Sequence, residues 1–335
     1  MTQDLALVFA VLMGAAVLLY VVLDGYDLGI GMLMPAASAQ EQELMVASIG
    51  PFWDANETWL VLGVGILLVA FPLAHGEILA ALYLPATVML VGLMFRGVAF
   101  EFRVKADGWQ RDLWNWLFWL GSFLASFAQG FMLGRYVTGF ESGFGYFIFA
   151  LFTGAALCGG YVLMGATWLV MKTQGGLQAK ALAWTRWGLA WVALGIVLVS
   201  VATPLVSATV QGKWFATPGS WLPRTWWLAL MPLATLAAGA FVWRATGLLR
   251  KNAVAPDWTA FAGAIFIFAL AFAGLAYSIF PYVVIDRITL WQAASHPSAL
   301  KMVLTGVAIV LPFLLGYTVF AHRVFRGKVQ GPLYE

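Results

Sequence analysis

Charge is scarce in this chain: Asp, Glu, Lys and Arg make up only 10% of 335 residues, where a soluble domain carries roughly a quarter. With 62% of residues hydrophobic, a water-soluble globular domain is excluded and a polytopic membrane protein is the reading that remains. Cysteine is nearly absent. The single Cys158 excludes an internal disulfide, a cysteine-ligated iron–sulfur cluster and a structural zinc site. Only three histidines occur, His75, His296 and His322. They are too far apart in the chain to read as a bis-histidine heme pair or a copper site, which need ligands at one depth on facing helices. No basic tract accompanies the net charge of +3, so nucleic acid is excluded as a partner. No Gly-rich phosphate loop and no Ser-His-Asp arrangement is present, which argues against ATP-driven transport.

What the chain does have is long apolar runs. A crossing needs about 20 mainly apolar residues, and nine stretches meet or approach that: Leu5 to Leu33, Thr58 to Leu73, Ile78 to Val98, Leu113 to Leu133, Phe147 to Met171, Trp187 to Val206, Thr225 to Trp243, Trp258 to Phe280 and Met302 to Ala321. The first lacks basic residues and an obvious cleavage site before it and reads as a retained helix. The second and third are expected to join through the turn Ala-His75-Gly76-Glu77, and kinks are expected at Pro85, Pro204, Pro232 and Pro312. Nine crossings put thirteen Lys and Arg residues on one side and five on the other. By the positive-inside rule the C-terminus is then cytoplasmic and the N-terminus periplasmic. Trp53, Trp59, Trp109, Trp114, Trp226, Trp227 and Trp258 lie near helix ends and read as interfacial anchors.

Against this apolar background a few acids stand out. Asp24 and Asp27 fall within the first run, where a carboxylate costs about 2.5 to 3.5 kcal/mol at the helix centre and is kept for a reason. At i and i+3 both project from one helix face, and Gly25, Gly29 and Gly31 allow a neighbouring backbone to come close. The competing reading ends the helix near Leu23 and leaves Asp24-Gly25 as a solvated turn; the apolar continuation Leu-Gly-Ile-Gly-Met favours burial. Asp54-Ala-Asn56-Glu57 has the spacing of a capping box and equally suits a proton-exchanging pair at a helix start. Arg96 and Glu101 are candidate counter-ions, whereas Arg103 reads as a snorkelling side chain.

The stretches Leu-Asp24-Gly25-Tyr26-Asp27-Leu-Gly29-Ile-Gly31, Phe52-Trp53-Asp54-Ala-Asn56-Glu57-Thr-Trp59 and Phe-Arg96-Gly97-Val-Ala-Phe-Glu101-Phe-Arg103, with Phe280-Pro281-Tyr282 and Leu290-Trp291-Gln-Ala-Ala-Ser, resemble subunit II of the bacterial cytochrome bd-type quinol oxidases. The short chain and small outer loops look most like the cyanide-insensitive branch. The resemblance implies an all-α fold of nine transmembrane helices: a four-helix bundle over residues 1–140, a second over 141–281, and a peripheral ninth helix with a cytoplasmic tail over 282–335. It implies residence in the bacterial inner membrane beside a heme-bearing subunit I that carries two b-type hemes and one d-type heme and oxidises quinol with O2. A small accessory subunit and a structural quinone or lipid are further expectations. This subunit itself is implied to be heme-free and to supply a cytoplasmic proton route at Asp24, Asp27 and Asp54. Glu57 stands where the family pattern more often has a neutral amide.

The leading expectation is therefore a non-catalytic subunit of a quinol:oxygen oxidoreductase. A proton-coupled secondary transporter is the alternative, since intramembrane acids and Gly-interrupted helices mark transporters too. A purely structural subunit that templates heme assembly is the third.

Overall fold

The computed structural model describes residues 2–215, 224–251, 256–329 and 331. Met1, the start of the expected first bundle, and most of the last six residues of the tail lie outside them. The helices are α1 (Thr2–Leu33), α2 (Ala39–Ile49), α3 (Trp53–Ala70), α4 (Pro72–Arg103), α5 (Trp109–Val137), α6 (Phe144–Lys172), α7 (Gly175–Val206), α8 (Ala208–Trp214), α9 (Leu230–Arg250), α10 (Trp258–Ile279), α11 (Leu290–Ala293) and α12 (Pro297–Val324). Among the described residues nine of these, α1, α3 to α7, α9, α10 and α12, are long and apolar enough to cross a membrane. A two-stranded antiparallel hairpin, β1 (Tyr282–Val284) with β2 (Ile288–Thr289), lies between α10 and α12 and was not foreseen. The Tyr136 hydroxyl at the end of α5 donates to its Val283 carbonyl at 2.5 Å.

Two local expectations fail. The chain reverses at Phe71, not at His75-Gly76-Glu77, which lie in the first turns of α4. The reason is Pro72: it has no N–H to give, and the first helical position is where a helix does not need one. Asp54 and Glu57 make no capping box either. Phe52 is the residue before α3, no side chain caps it, and Asp54 and Glu57 are already helical. Two capping boxes do form elsewhere, Ser38 with Glu41 and Thr289 with Gln292.

The Ser38 box starts α2, and Glu41 also meets Lys180 of α7 at 2.6 Å. The Lys180 ammonium and the Ser38 donors hold the Glu41 carboxyl below its usual value. A carboxyl lowered by folding adds stability above its unfolded pKa, about 4.3, and that stability is lost as pH falls through the lowered value. Glu41→Gln should therefore flatten the acid-side fall in thermal midpoint, at a cost at neutral pH of about 1 kcal/mol or less. A thermal series from neutral to acid pH on the purified protein reads this out; an unchanged slope would refute it.

α1 is the hub, packed against α3, α5 and α6, while α4 lies on α5, α5 on α6, α6 on α7, and α9 on α10. Lipid tails are as apolar as leucine, so such helices gain from close packing more than from exclusion of water. Small residues supply it. A Cβ on Gly29 of α1 would lie 1.8 Å from the Tyr161 carbonyl oxygen of α6, and one on Gly165 would lie 2.6 Å from Ile30 N. Gly92 and Gly121 bring α4 and α5 together in the same way. α12 is different: it touches α1 and α3, and only 6% of its apolar window is buried.

Trp59 departs from its expected place at the interface. It is 1% exposed, because α3 begins at Trp53 and turns this side inward. At the same end of the molecule Tyr26 stacks on Trp168, with ring centroids 4.0 Å apart and planes within 6°. Phe52 meets Trp168 edge-on.

Candidate functional site

α1 stays helical through Asp24-Gly25, so the solvated-turn reading fails and both carboxylates enter the interior. Asp24 is 0% and Asp27 1% exposed. Arg96, from α4, donates from Nη1 to Asp24 Oδ1 at 2.5 Å and from Nη2 to Glu57 Oε2 at 3.0 Å. Asp27 has a neutral partner. Asn56 of α3 donates from Nδ2 to Asp27 Oδ2 at 2.8 Å, and the same nitrogen contacts the Tyr26 oxygen at 2.7 Å. Two carboxylates thus share one guanidinium, with the third, Asp27, bonded to an amide beside them.

The contrast between the two aspartates has chemical meaning. Asp24 is held by an ion pair, and protonating it breaks that pair. Asp27 is held by an amide, so it can take up and release a proton with its Asn56 bond kept. Asp24 Oδ2, Asp27 Oδ1 and Asn56 Oδ1 are buried without a partner among the described residues. Glu57, whose side chain is 33% exposed, joins the buried group to the surface.

The other expected residues fare unevenly. Asp54 is exposed and sits one turn before Glu57 and Thr58, in a groove of about 410 Å³ between α3 and α12 that is lined also by Phe313, Tyr317 and Thr318. It is not drawn into the buried cluster. Glu101 is exposed and stands apart from Arg96, because an offset of five residues turns it to another helix face. Arg103 is the clearest correction: it is 1% exposed, not snorkelling. Its guanidinium donates to Glu43 of α2 at 2.7 Å and to Asn115 of α5 at 2.9 Å, and Arg111 joins Glu43 at 2.6 Å. α2 places an acid over the end of α4, which spacing within α4 cannot reveal.

Several participants were missed altogether. Asn56 had been read only as the spacer of a cap. Tyr161 of α6 donates to Gln129 Oε1 at 2.7 Å, and Gln129 Nε2 donates to the Tyr20 oxygen at 2.7 Å. Tyr20 stands one turn before Asp24 on α1. Gln129 was findable as a lone amide in an apolar helix, since such groups face protein or water.

The histidines do not form a heme-ligating pair. His75 lies in the first turns of α4, His296 caps the start of α12 and His322 stands in its last turn. Both nitrogens of His322 are engaged, Nδ1 with the Thr318 carbonyl at 2.8 Å and Nε2 with the Tyr26 hydroxyl at 3.4 Å.

A family model described as cytochrome bd terminal oxidase subunit II matches residues 5–325. The chain is 29% identical to a cytochrome bd ubiquinol oxidase subunit 2 from Bacillus subtilis, over 92% of each protein. It is 27% identical to a cytochrome bd-I ubiquinol oxidase subunit 2 from Escherichia coli, over 98% of this chain and 96% of that one. A solved bd oxidase chain from Geobacillus thermodenitrificans has the same fold, with a TM-score of 0.78 at 16% identity over 96% of this chain and 98% of that one. Near-complete coverage by one family favours an oxidase subunit over a transporter, and this chain belongs to the cytochrome bd terminal oxidase subunit II family.

Proposed function

We propose that this subunit admits protons to a bd-type quinol oxidase through Asp54, Glu57, Asp24 and Asp27, while a heme-bearing subunit I carries out the electron transfer. The observation that carries the proposal is the burial of Asp24 and Asp27, with a single guanidinium joining Asp24 to Glu57 and none bonded to Asp27. Such a group is costly in an apolar slab and is kept where charge must pass. Reducing oxygen to water consumes protons next to the heme that binds it. Drawing them from the cytoplasm while quinol releases its own outside builds a membrane potential without a pump.

α3 supplies the outer steps. Asp54 faces the groove, Glu57 follows one turn later, and Arg96 ties Glu57 to Asp24. Asp27 is the step best able to cycle, because its bond is to a neutral amide. Arg96 is a positioning residue: it orients two of the acids and neutralises part of their charge. Glu101, on another face and exposed, has no part in this route.

The finer expectations belong to the same proposal. The excess of Lys and Arg on one side supports a cytoplasmic C-terminus and periplasmic N-terminus in the inner membrane. The partner would hold two b-type hemes and one d-type heme, in keeping with the engaged nitrogens of His322. Helix packing supports bundles over residues 1–140 and 141–281, with 282–335 peripheral and the bundles joined where α1 meets α6. A small accessory subunit and a bound quinone or lipid would complete the complex.

Asp24→Asn and Asp27→Asn, each in the purified complex, should slow oxygen consumption and proton uptake on the order of 10²-fold with the heme spectrum intact. Asp54→Asn, with water beside it, should have a smaller effect. Wild-type proton uptake in both buried variants would reduce the cluster to scaffold.

A further inference from the structure

We propose that the seam between α7 and α9 binds the headgroup of an anionic phospholipid, with Arg186 as its principal ligand. The sequence itself carries the imbalance. Residues 142–256 contain no Asp or Glu, yet they hold eight Lys and Arg. Four of these are answered within the fold: Lys180 meets Glu41 at 2.6 Å, Lys172 the Phe325 carbonyl at 2.5 Å, Lys213 the Ser278 carbonyl at 2.8 Å and Arg224 the Gly212 carbonyl at 2.9 Å. The other four, Arg186, Arg244, Arg250 and Lys251, meet no carboxylate among the described residues.

Arg186 differs from the rest of that group. Arg244, Arg250 and Lys251 are exposed, so water can answer their charge. Arg186 is half-buried, and its Nε is buried without a partner among the described residues. Its guanidinium carbon lies 4.6 Å from the centroid of the Trp243 ring, and a Cβ added at Gly247 would stand 3.4 Å from Nη2. A snorkelling side chain carries its head out to water. This one lies against α9 instead, held over an aromatic face. A planar fork of five donors with no acceptor opposite it suits an anion that can take two hydrogen bonds at once, as a phosphate does.

Its place in the fold selects the source of that phosphate. Trp243, Gly247 and Arg250 follow one another by four and three residues and share one face of α9. A headgroup on Arg186 therefore has Arg250 one turn further along, with Lys251 adjoining. This end of α9 belongs to the side richer in Lys and Arg, the cytoplasmic leaflet in the orientation proposed above. Beside it the surface is apolar, with Trp187 of α7 and Trp243 and Leu248 of α9 exposed. Acyl chains fit that surface while the phosphate reaches the guanidinium, and basic pockets between helices at this depth bind such headgroups. The lipid also has a mechanical use. Only 17% of the apolar window of α9 is buried, and a carbon added at Gly239 would find nothing nearer than Leu189 at 3.9 Å. α7 and α9 thus lack the interlock that α1 and α6 have at Gly29, and a phosphate held from both helices bridges them.

The test uses the purified complex in detergent, stripped of loosely held lipid. Native mass spectrometry counts what binds as phosphatidylglycerol, phosphatidylcholine or inorganic phosphate is added, and a thermal series follows the midpoint. Phosphatidylglycerol should bind the wild type about tenfold more tightly than phosphatidylcholine and raise its midpoint. Arg186→Gln should remove about fivefold of that preference, with Arg186→Lys between the two because the charge stays and the fork is lost. Arg250→Gln combined with Lys251→Gln changes exposed residues only, should remove a similar part, and decides the matter if Arg186→Gln does not assemble. A preference unchanged in these variants would overturn the site. Phosphatidylcholine binding as tightly as phosphatidylglycerol would overturn it too, by showing that the seam takes acyl chains alone. Inorganic phosphate raising the midpoint as far as phosphatidylglycerol would overturn the lipid as the source of the anion. Release of subunit I from Arg186→Gln, with no lipid preference in the wild type, would assign the guanidinium to a carboxylate of that partner and overturn the proposal.

Discussion

Arg96→Met will cost the oxidase its assembly. The side chain it replaces is 1% exposed and is the cation bonded to Asp24 and Glu57. Methionine fills the space and leaves the buried Asp24, and Glu57 beside it, without their cation. Removing one partner of a buried pair costs about 3 to 5 kcal/mol, comparable with the whole stability of many domains. Heme-containing complex in membranes should fall severely, read from the reduced-minus-oxidised spectrum per unit of membrane protein. The compensating change makes the expectation specific. Asp24→Asn added to Arg96→Met removes the charge left without its counter-ion and should recover part of the yield, though not proton uptake. Equal loss in the single and double variants would show that Arg96 acts by shape and not by charge.

A second large effect is expected where no charge is involved. Gly29→Val should prevent α1 from seating on α6, because the added atoms meet the Tyr161 carbonyl, and carbonyls of a helix cannot step aside. Overpacking costs about 1 to 3 kcal/mol where side chains can adjust, and more where they cannot. The loss here should exceed that range, since separating the helices also disturbs the Tyr26–Trp168 stack and with it the Asn56 contact. Even Gly29→Ala should lower the thermal midpoint by several degrees. Gly65→Ala, with nothing within 4 Å of its added carbon, is the control and should be neutral. Similar midpoints for Gly29→Ala and Gly65→Ala would mean that α1 and α6 separate freely.

Much of the fold was legible from composition. The nine long apolar runs reappear as nine helices among the described residues, because a bilayer accepts few other structures. Their ends were less legible: α3 and α4 extend through Asp54, Glu57, His75 and Glu77, polar residues that had been taken as boundaries. Polarity marks where a helix meets water. It does not mark where hydrogen bonding stops, and Pro72 stops it.

The site divides along the same line. Asp24 and Asp27 stood out in the sequence because a carboxylate in an apolar run is costly at any position along it. Arg96 was read as a counter-ion, yet whether it would choose Glu57 or Glu101 depends on which helix faces α4, and α3 supplies the acid. Arg103 was misjudged because its partner Glu43 lies on α2, sixty residues earlier. Asn56, Gln129 and His322 are ordinary residues until the helices pack.

Composition and period thus determined by themselves that the chain crosses a membrane, how often, and which acids within it needed an explanation, since these follow from the cost of polar groups in hydrocarbon. Only the tertiary structure decided which cation answers which acid, and that a histidine on the last helix reaches the first. Those pairings are distances between segments far apart in sequence, fixed by where glycines let backbones touch, and no local pattern encodes them.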